Sequence, residues 1–269
     1  MITTLEGDAP PICQMQVLAS GSSGNAVYIR IADVHLLIDA GISRRRITRA
    51  LDELGVSLQD LSALVLTHEH SDHVSALEML RRARPDLPVF ATNGTAQGCR
   101  KRRRWVFEHT TIRAGEPFEI GAVTLTPFAT SHDAMEPVGL RVEGGGHALG
   151  IATDMGRSTS TVVNALRDCS AIVLEANYDE EMLWRGPYPL FLKRRVASPK
   201  GHLSNLQMRA LLGEVAGPRL EQVILGHLSE KNNTPQKAVA AVGDALANAP
   251  RAMLSVADRQ HPGPLMSFA

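Results

Sequence analysis

The sequence predicts an α/β (α+β) chain folded as a four-layer αββα sandwich. Apolar strand-like runs dominate the first half of the 269 residues, and strands alternate with helices in the second. Both halves therefore supply a sheet together with helices to cover it, which suits two sheets face to face with helices outside. Hydrophobic residues make up 44% of the chain, ample material for such a core. No internal repeat, low-complexity tract or long linker interrupts the pattern. Residues 15–269 are thus expected to form one domain behind an N-terminal extension over 1–14.

The elements follow in order. MQVLA at 15–19 and AVYIRI at 26–31 flank the turn SGSSGN, and VHLLID at 34–39 follows closely, so a small meander is expected. Ser43 is a suitable N-cap for a helix over 43–54, with Ile47, Leu51 and Leu54 at helical spacing and Gly55 as its stop. SALVLT at 62–67 reads as a buried strand that runs into HEHSDH. A helix over 73–84 carries Val74, Leu77 and Leu80 on one face. A strand near 88–91 and a helix from about 93 come next, then strands at 117–120, 122–128, 138–143 and 147–152. The remainder reads helix 158–167, strand 170–175, helices 188–196 and 203–215, strand 221–225, helix 234–247 and strand 252–257.

Charge and composition exclude several classes. Lys and Arg match Asp and Glu, 28 against 28, so no partner can be read from net charge. Aromatic residues are only 4%, which disfavours a surface of stacked aromatic platforms. Three scattered cysteines, Cys13, Cys99 and Cys169, form no C-x-x-C pair and point to a reducing compartment, with Cys169 expected as an inert buried thiol. The first dozen residues lack a basic and apolar leader pattern, and no apolar run reaches membrane-spanning length. A cytoplasmic protein without a membrane partner is expected. Histidine is the unusual entry of the composition: ten residues, against three Tyr and two Trp.

Thr67-His68-Glu69-His70-Ser71-Asp72-His73 lies between an apolar strand and a helix. In extended backbone, side chains two apart point the same way, so His68, His70 and Asp72 are expected to converge while His73 joins from the helix start. Three imidazoles and a carboxylate in six residues suit borderline cations, and the carboxyl end of a strand is where α/β sites are built. Further donors close other apolar strands: His132 after VTLTPFAT, Asp154 after HALGIAT and His227 after EQVIL. A lone histidine at a strand end is more often a hydrogen-bonded surface group than a ligand, but three strand ends agreeing reverse that weighting. The expected assignment is His68, His70 and His132 on one ion, Asp72, His73 and His227 on a second, and Asp154 bridging them. Five His favour Zn, while two Asp are compatible with Mn.

These motifs resemble the metallo-β-lactamase superfamily, which implies an αββα sandwich with a two-metal site in the cleft between the sheets. By that resemblance Asp39, closing LLID before Ala40-Gly41, steadies the His-rich loop through hydrogen bonds and is no ligand. Between residues 15 and 233, LASGSSGN, LIDAG, SHDA, Glu175-Ala176-Asn177, Leu192 to Arg195, GHLSN at 201–205 and LGHLSEKNN follow in the order of the YycJ/WalJ-like branch. That branch is itself similar to ribonuclease Z and the phosphonate-pathway cyclic phosphodiesterases. One departure stands out: Tyr178 occupies the place where the branch usually has His, so no imidazole chemistry is assigned there.

Two cations with mixed His and carboxylate ligands lower the pKa of a bridging water and stabilise charge on attacking and leaving oxygens. Asp72 can orient or deprotonate that water. Glu175 and His202, by resemblance to the corresponding pair in ribonuclease Z, are candidates for protonating the leaving oxygen. The alternative for His202 is merely to precede the helix that Ser204 caps. Ser22, Ser23 and Asn25 of the Gly-rich turn offer hydroxyls and amides to a phosphate, or simply close a hairpin. Lys193, Arg194 and Arg195 belong to the branch motif and, with Ser204 and Asn205 of GHLSN, are candidate substrate contacts. Residues 81–104 hold eight Arg or Lys against one acid, Asp86, a local balance of +7, which suits either a solvated face or polyanion tracking.

The resemblance implies a phosphodiesterase acting on nucleic acid, DNA before RNA, with 5′-to-3′ exonuclease character on duplexes. The alternatives are a cyclic ribose phosphate phosphodiesterase, a tRNA-processing type of RNA hydrolase, and a non-catalytic metal-binding regulatory module. The last is disfavoured by a ligand set with all seven members present.

Overall fold

A computed structural model of the chain describes residues 12–268. The chain opens with the expected meander, β1 (Cys13–Ala19), β2 (Ala26–Ile31) and β3 (Val34–Ile38), each buried almost throughout because both faces of this sheet are covered. Residues 1–11 of the expected extension lie outside the described residues, and β1 already begins at Cys13. Helix α1 (Arg44–Glu53) starts where the Ser43 side chain accepts from Arg46 N–H, and buries Ile47, Ala50 and Leu51. Strand β4 (Ala63–Val65) then leads into the His-rich loop.

The helix expected over 73–84 is in fact two: α2 (Ser71–Val74) and α3 (Leu77–Ala83). Tertiary bonds take the groups that would join them. Asn25 N–H donates to the Asp72 carbonyl at 2.7 Å, and Ala76 N–H turns to the Ala40 carbonyl at 2.8 Å. Gly41 permits this approach, since a Cβ there would fall 1.6 Å from the Asp72 carbonyl oxygen. Beyond it come β5 (Val89–Ala91), α4 (Asn93–Arg103) and the two-residue β6 (Thr110–Thr111), which the sequence did not reveal.

The second sheet opens with an antiparallel run, β7 (Phe118–Ile120), β8 (Val123–Ala129), β9 (Val138–Gly144) and β10 (His147–Ala152). Helix α5 (Ser160–Leu166) precedes β11 (Ala171–Glu175), and α6 (Glu180–Arg185), unforeseen, precedes α7 (Leu190–Val196) and α8 (Asn205–Val215). Strand β12 (Gln222–Gly226) is followed by α9 (Pro235–Val242), which stops short of the expected 247 because Gly243 turns left-handed at φ 54°. Strand β13 (Met253–Val256) closes the second sheet. A final strand, β14 (Met266–Phe268), returns to the first and pairs with β1.

The two sheets have orders β14-β1-β2-β3-β4-β5-β6 and β13-β12-β11-β10-β9-β8-β7. Each is antiparallel in one half and parallel in the other. Three apolar clusters fill the three interfaces of the sandwich. One lies between the sheets, one beneath α1, α3 and α4, and one beneath α5, α8 and α9. All three cysteines are buried and free, and burial pushes the Cys169 thiol up to about 12. Among the described residues no helix is long and apolar enough to cross a membrane.

The layer between the sheets carries the fold, so truncating it should be costly. Leu140, fully buried there, is expected to lose about 2–5 kcal/mol of stability on Leu140→Ala, read as a shift of the urea midpoint at unchanged slope.

Candidate metal centre

The parallel halves of both sheets end at one edge, and the chain there turns abruptly. Asp39, Asp154 and His227, each one residue or two past a strand, adopt left-handed backbone with φ of 60°, 59° and 53°. Asp and His tolerate this conformation better than most residues, and it ends each strand in a sharp turn beside the cleft. His68 and His70 follow β4, Asp72 and His73 ride on α2, His132 follows β8, and Glu175 ends β11.

The seven residues expected as ligands lie near one another in groups. His68, His70 and His132 form one set, Asp72, His73 and His227 another, each with donor atoms within 4.8 Å of one another. Asp154 reaches both: its carboxylate lies 3.1 Å from His73 Nε2, 3.4 Å from His227 Nε2 and 3.6 Å from His132 Nε2. One local expectation is corrected. Asp72 does not share an extended run with His68 and His70; the short helix swings it to the His73 side.

A set of hydrogen bonds orients the rings. Asp39 accepts from Thr67 N–H and the Thr67 hydroxyl, both at 2.8 Å, and from His73 Nδ1 at 2.7 Å. With its own proton committed to Asp39, the Thr67 hydroxyl accepts from His68 Nδ1 at 3.1 Å. His132 Nδ1 donates to the Gly201 carbonyl at 3.0 Å, and His227 Nδ1 faces Glu175 Oε1 at 3.2 Å. In each case Nδ1 is committed outward and Nε2 faces the cluster, the arrangement a metal-binding histidine needs.

The donor set fits divalent cations on two counts. It offers imidazole nitrogens and carboxylate oxygens in the mixture that borderline ions accept. It also leaves His68 Nε2 and His70 Nε2 buried with no hydrogen-bond partner, a cost that a cation would remove.

Electrostatics divides the histidines. Burial, helped by the charge on His73, drives His68 well below its ordinary range, and burial with His132 drives His70 down to about 4. Burial opposes charge on His73 and His227 as well, but there the carboxylates prevail. Asp154, Asp39 and Asp72 hold His73 well above its ordinary value, and Asp154, Asp72 and Glu175 raise His227 to about 10. Burial likewise resists ionisation of Asp72, Asp154 and Glu175, yet the adjoining imidazoles keep all three below their ordinary values.

The expected proton-donor pair is assembled. His202 Nδ1 lies 2.7 Å from Glu175 Oε1, and the fully buried Glu175 also accepts from Met155 N–H at 2.8 Å and Leu203 N–H at 3.1 Å. His202 lines a cavity of about 220 Å³ together with Ser22, Asp72, His132, Arg195 and His227.

Several expected substrate contacts are placed differently. Lys193 donates to the Trp184 carbonyl, and neither it nor Arg194 lines the cavity; helical spacing turns Leu192, Arg195 and Val196 inward instead. Ser204 is buried and caps α8, while buried Asn205 exchanges paired amide bonds with Asn233 at 3.0 and 2.8 Å. Asn25 is buried too, bonded to Ser20, Gly21 and the Asp72 carbonyl, so it braces the metal loop. Ser23 is exposed and does not line the cavity. Tyr178 is buried, and its carbonyl accepts from Asn205 N–H.

Four supporting residues escaped the sequence reading. Thr67 relays Asp39 to His68, Asn177 donates to the His227 carbonyl at 2.8 Å, and Asp133 grips Arg195. Glu69, inside the motif itself, points away from the cluster and accepts from Met135 N–H at 3.1 Å. The signal for all four was adjacency to a ligand or to Glu175, which specifies position but not partner.

The beta-lactamase superfamily domain matches residues 35–228 of the chain. Exodeoxyribonuclease YycJ of Bacillus anthracis is 32% identical over 237 residues, covering 86% of this chain and 88% of that protein. Exodeoxyribonuclease WalJ of Streptococcus pneumoniae (strain D39) is 32% identical over 242 residues, covering 87% and 88%. Among solved structures, the metallo-beta-lactamase fold protein YhfI of Bacillus subtilis superposes with a TM-score of 0.71 at 15% identity, covering 96% of this chain and all of that one.

The charge division has a measurable consequence. A proton on His73 or His227 must leave before the same nitrogen can hold a cation, so metal binding is expected to release protons at neutral pH. Chelator-stripped protein titrated with Zn²⁺ at pH 7 should release about two protons. Its affinity should rise with pH toward the value of about 10 at which His227 loses its proton unaided. Calorimetry in buffers of differing ionisation enthalpy reads the count, and a pH-independent affinity would contradict it.

Proposed function

Because the chain belongs to the beta-lactamase superfamily, we propose that it is a two-metal phosphodiesterase that degrades DNA from an end. The observation that carries this reading is the pairing of two ligand triads, joined by Asp154, with a His202 backed by buried Glu175 at the wall of the same cavity. The exonucleolytic and DNA-directed parts rest on the names of the two relatives that align over most of the chain.

Divalent cations bound here, Zn or Mn, would supply a water ionised near neutral pH and neutralise charge building on the phosphoryl oxygens. The chain's own residues do the rest. His68, His70 and His132 would hold one cation and Asp72, His73 and His227 the other, with Asp154 within reach of both sets. Asp72, kept ionised by its imidazole neighbours, orients the attacking water at its carboxylate. Glu175 accepts the hydrogen bond from His202 Nδ1, which leaves Nε2 as the nitrogen that passes a proton to the departing oxygen. Arg195 at the cavity wall faces the phosphate.

This division of labour predicts different responses to two substrates. Asp72→Ala should abolish turnover of both DNA and bis(p-nitrophenyl) phosphate. His202→Ala should slow DNA cleavage by about 10²–10⁴-fold, while bis(p-nitrophenyl) phosphate, whose leaving group departs as an anion, loses far less. Equal losses on both would remove His202 from the donor role. Duplexes labelled at the 5′ or 3′ end, compared with Zn and Mn, read the polarity, and labelled DNA left intact by metal-loaded protein would sink the nuclease reading.

A further inference from the structure

Beside the metal cavity lies a second and larger hollow, about 450 Å³ against about 220 Å³. Glu69, His70, Asp72, Arg102, Arg103 and Arg195 line it, so it shares His70, Asp72 and Arg195 with the metal cavity. Its guanidinium groups come from two distant parts of the chain, the last turn of α4 and the last turn of α7.

All three arginines keep N–H donors to spare, and Arg195 is anchored by a carboxylate. Arg195 donates through Nε and Nη2 to one oxygen of Asp133, at 2.7 and 2.6 Å. Of its five N–H donors, three remain. Asp133 is in turn 3.4 Å from His132 Nε2 and 3.7 Å from His70 Nε2, so the arginine is registered against the metal-binding loops. Arg102 approaches Glu69 through Nε at 3.7 Å; that carboxylate is fully buried, while the arginine side chain is half exposed. Arg103 lies 4.9 Å from the Trp105 ring centre and is exposed.

Basic residues in a last helical turn complement the helix dipole, which accounts for some of Arg100, Lys101, Arg102 and Arg103. It does not account for two of them facing a hollow completed by Arg195 from another helix. Nor does a small phosphodiester need this hollow, since the metal cavity alone has room for one. Planar guanidiniums fixed from behind and open in front are receptors for phosphate oxygens.

We infer that this groove is a second phosphate subsite, in which Arg102, Arg103 and Arg195 grip the backbone next to the scissile phosphate and so select a polynucleotide over a small phosphodiester. The inference rests on the nuclease reading and deepens it. Asp133 and Glu69 act as positioning residues, each tying an arginine to a loop that also bears metal ligands.

Binding tests the groove separately from catalysis. The metal-loaded protein is titrated with a fluorescent duplex, phosphorothioate-linked to suppress cleavage, over a series of KCl concentrations. Removing one cationic grip on a phosphate should reduce the slope of log K against log[KCl] by about 0.9. The double variant Arg103→Ala/Arg195→Gln should therefore lower the slope by about 1–2 and weaken binding at least tenfold at moderate salt. Arg209→Ala, on the exposed face of α8 and paired with Asp244, should leave the slope unchanged. Thermal melting shows whether each variant is folded. Arg103→Ala alone, at a position with no carboxylate partner among the described residues, should still lower the slope by about 0.9. Slopes equal to wild type in folded variants overturn the groove. Hydrolysis of bis(p-nitrophenyl) phosphate without any cleavage of DNA would instead remove the nuclease reading, whichever way the slopes fall.

Discussion

The Asp39 carboxylate is the contact on which the site depends. It sits one residue beyond β3, almost wholly buried, and takes three donors from the neighbouring strand end and helix. One bond fixes the Thr67 backbone as it leaves β4. The second makes the Thr67 hydroxyl an acceptor, which sets the His68 tautomer. The third sets His73 directly. Three residues that no apolar packing could orient are thus aligned by one anion, and the desolvation of that anion is offset by the same three bonds.

The same exchange recurs across the cleft. Glu175, fully buried at the end of β11, accepts from two backbone N–H groups and contacts both His202 and His227. Asp154 has imidazoles on several sides, with His73 Nε2 3.1 Å from one oxygen and His227 Nε2 3.4 Å from the other. Negative charge at the mouth of two apolar sheets is tolerable because each carboxylate faces imidazoles that carry protons, or cations in their place. The sheets supply geometry as well as a dry wall, since their parallel halves stop at one edge and the left-handed residues there end the strands abruptly.

Much of this was legible because strand-closing residues announce themselves. An apolar run cannot end in His or Asp without placing that group at a sheet edge, and several such edges converge in a sandwich. What escaped notice depended on partners remote in the chain. The break between α2 and α3 comes from Asn25 and Ala40 taking bonds that local propensity assigns to the helix. Strand β14 is three residues long and exists because β1 is waiting for it. Ser204 and Asn205 look like substrate groups in a motif, yet one caps a helix and the other pairs with Asn233, so motif membership reflected architecture. Conversely, of Lys193, Arg194 and Arg195 only the last faces the cavity, a distinction that helical phase makes and a run of basic letters conceals.

The pairing of β14 with β1 also makes the first strand depend on the far end of the described chain. Gln14 waits for Ser267, 253 residues later, before the edge of the first sheet is covered. Every proposed ligand, by contrast, lies at or before His227. Loss of β14 would therefore leave every proposed ligand in the chain while baring the edge of β1, the kind of surface that recruits other chains. The completeness of the site and the closure of the sheet edge thus depend on different stretches of sequence, and one can be lost without the other.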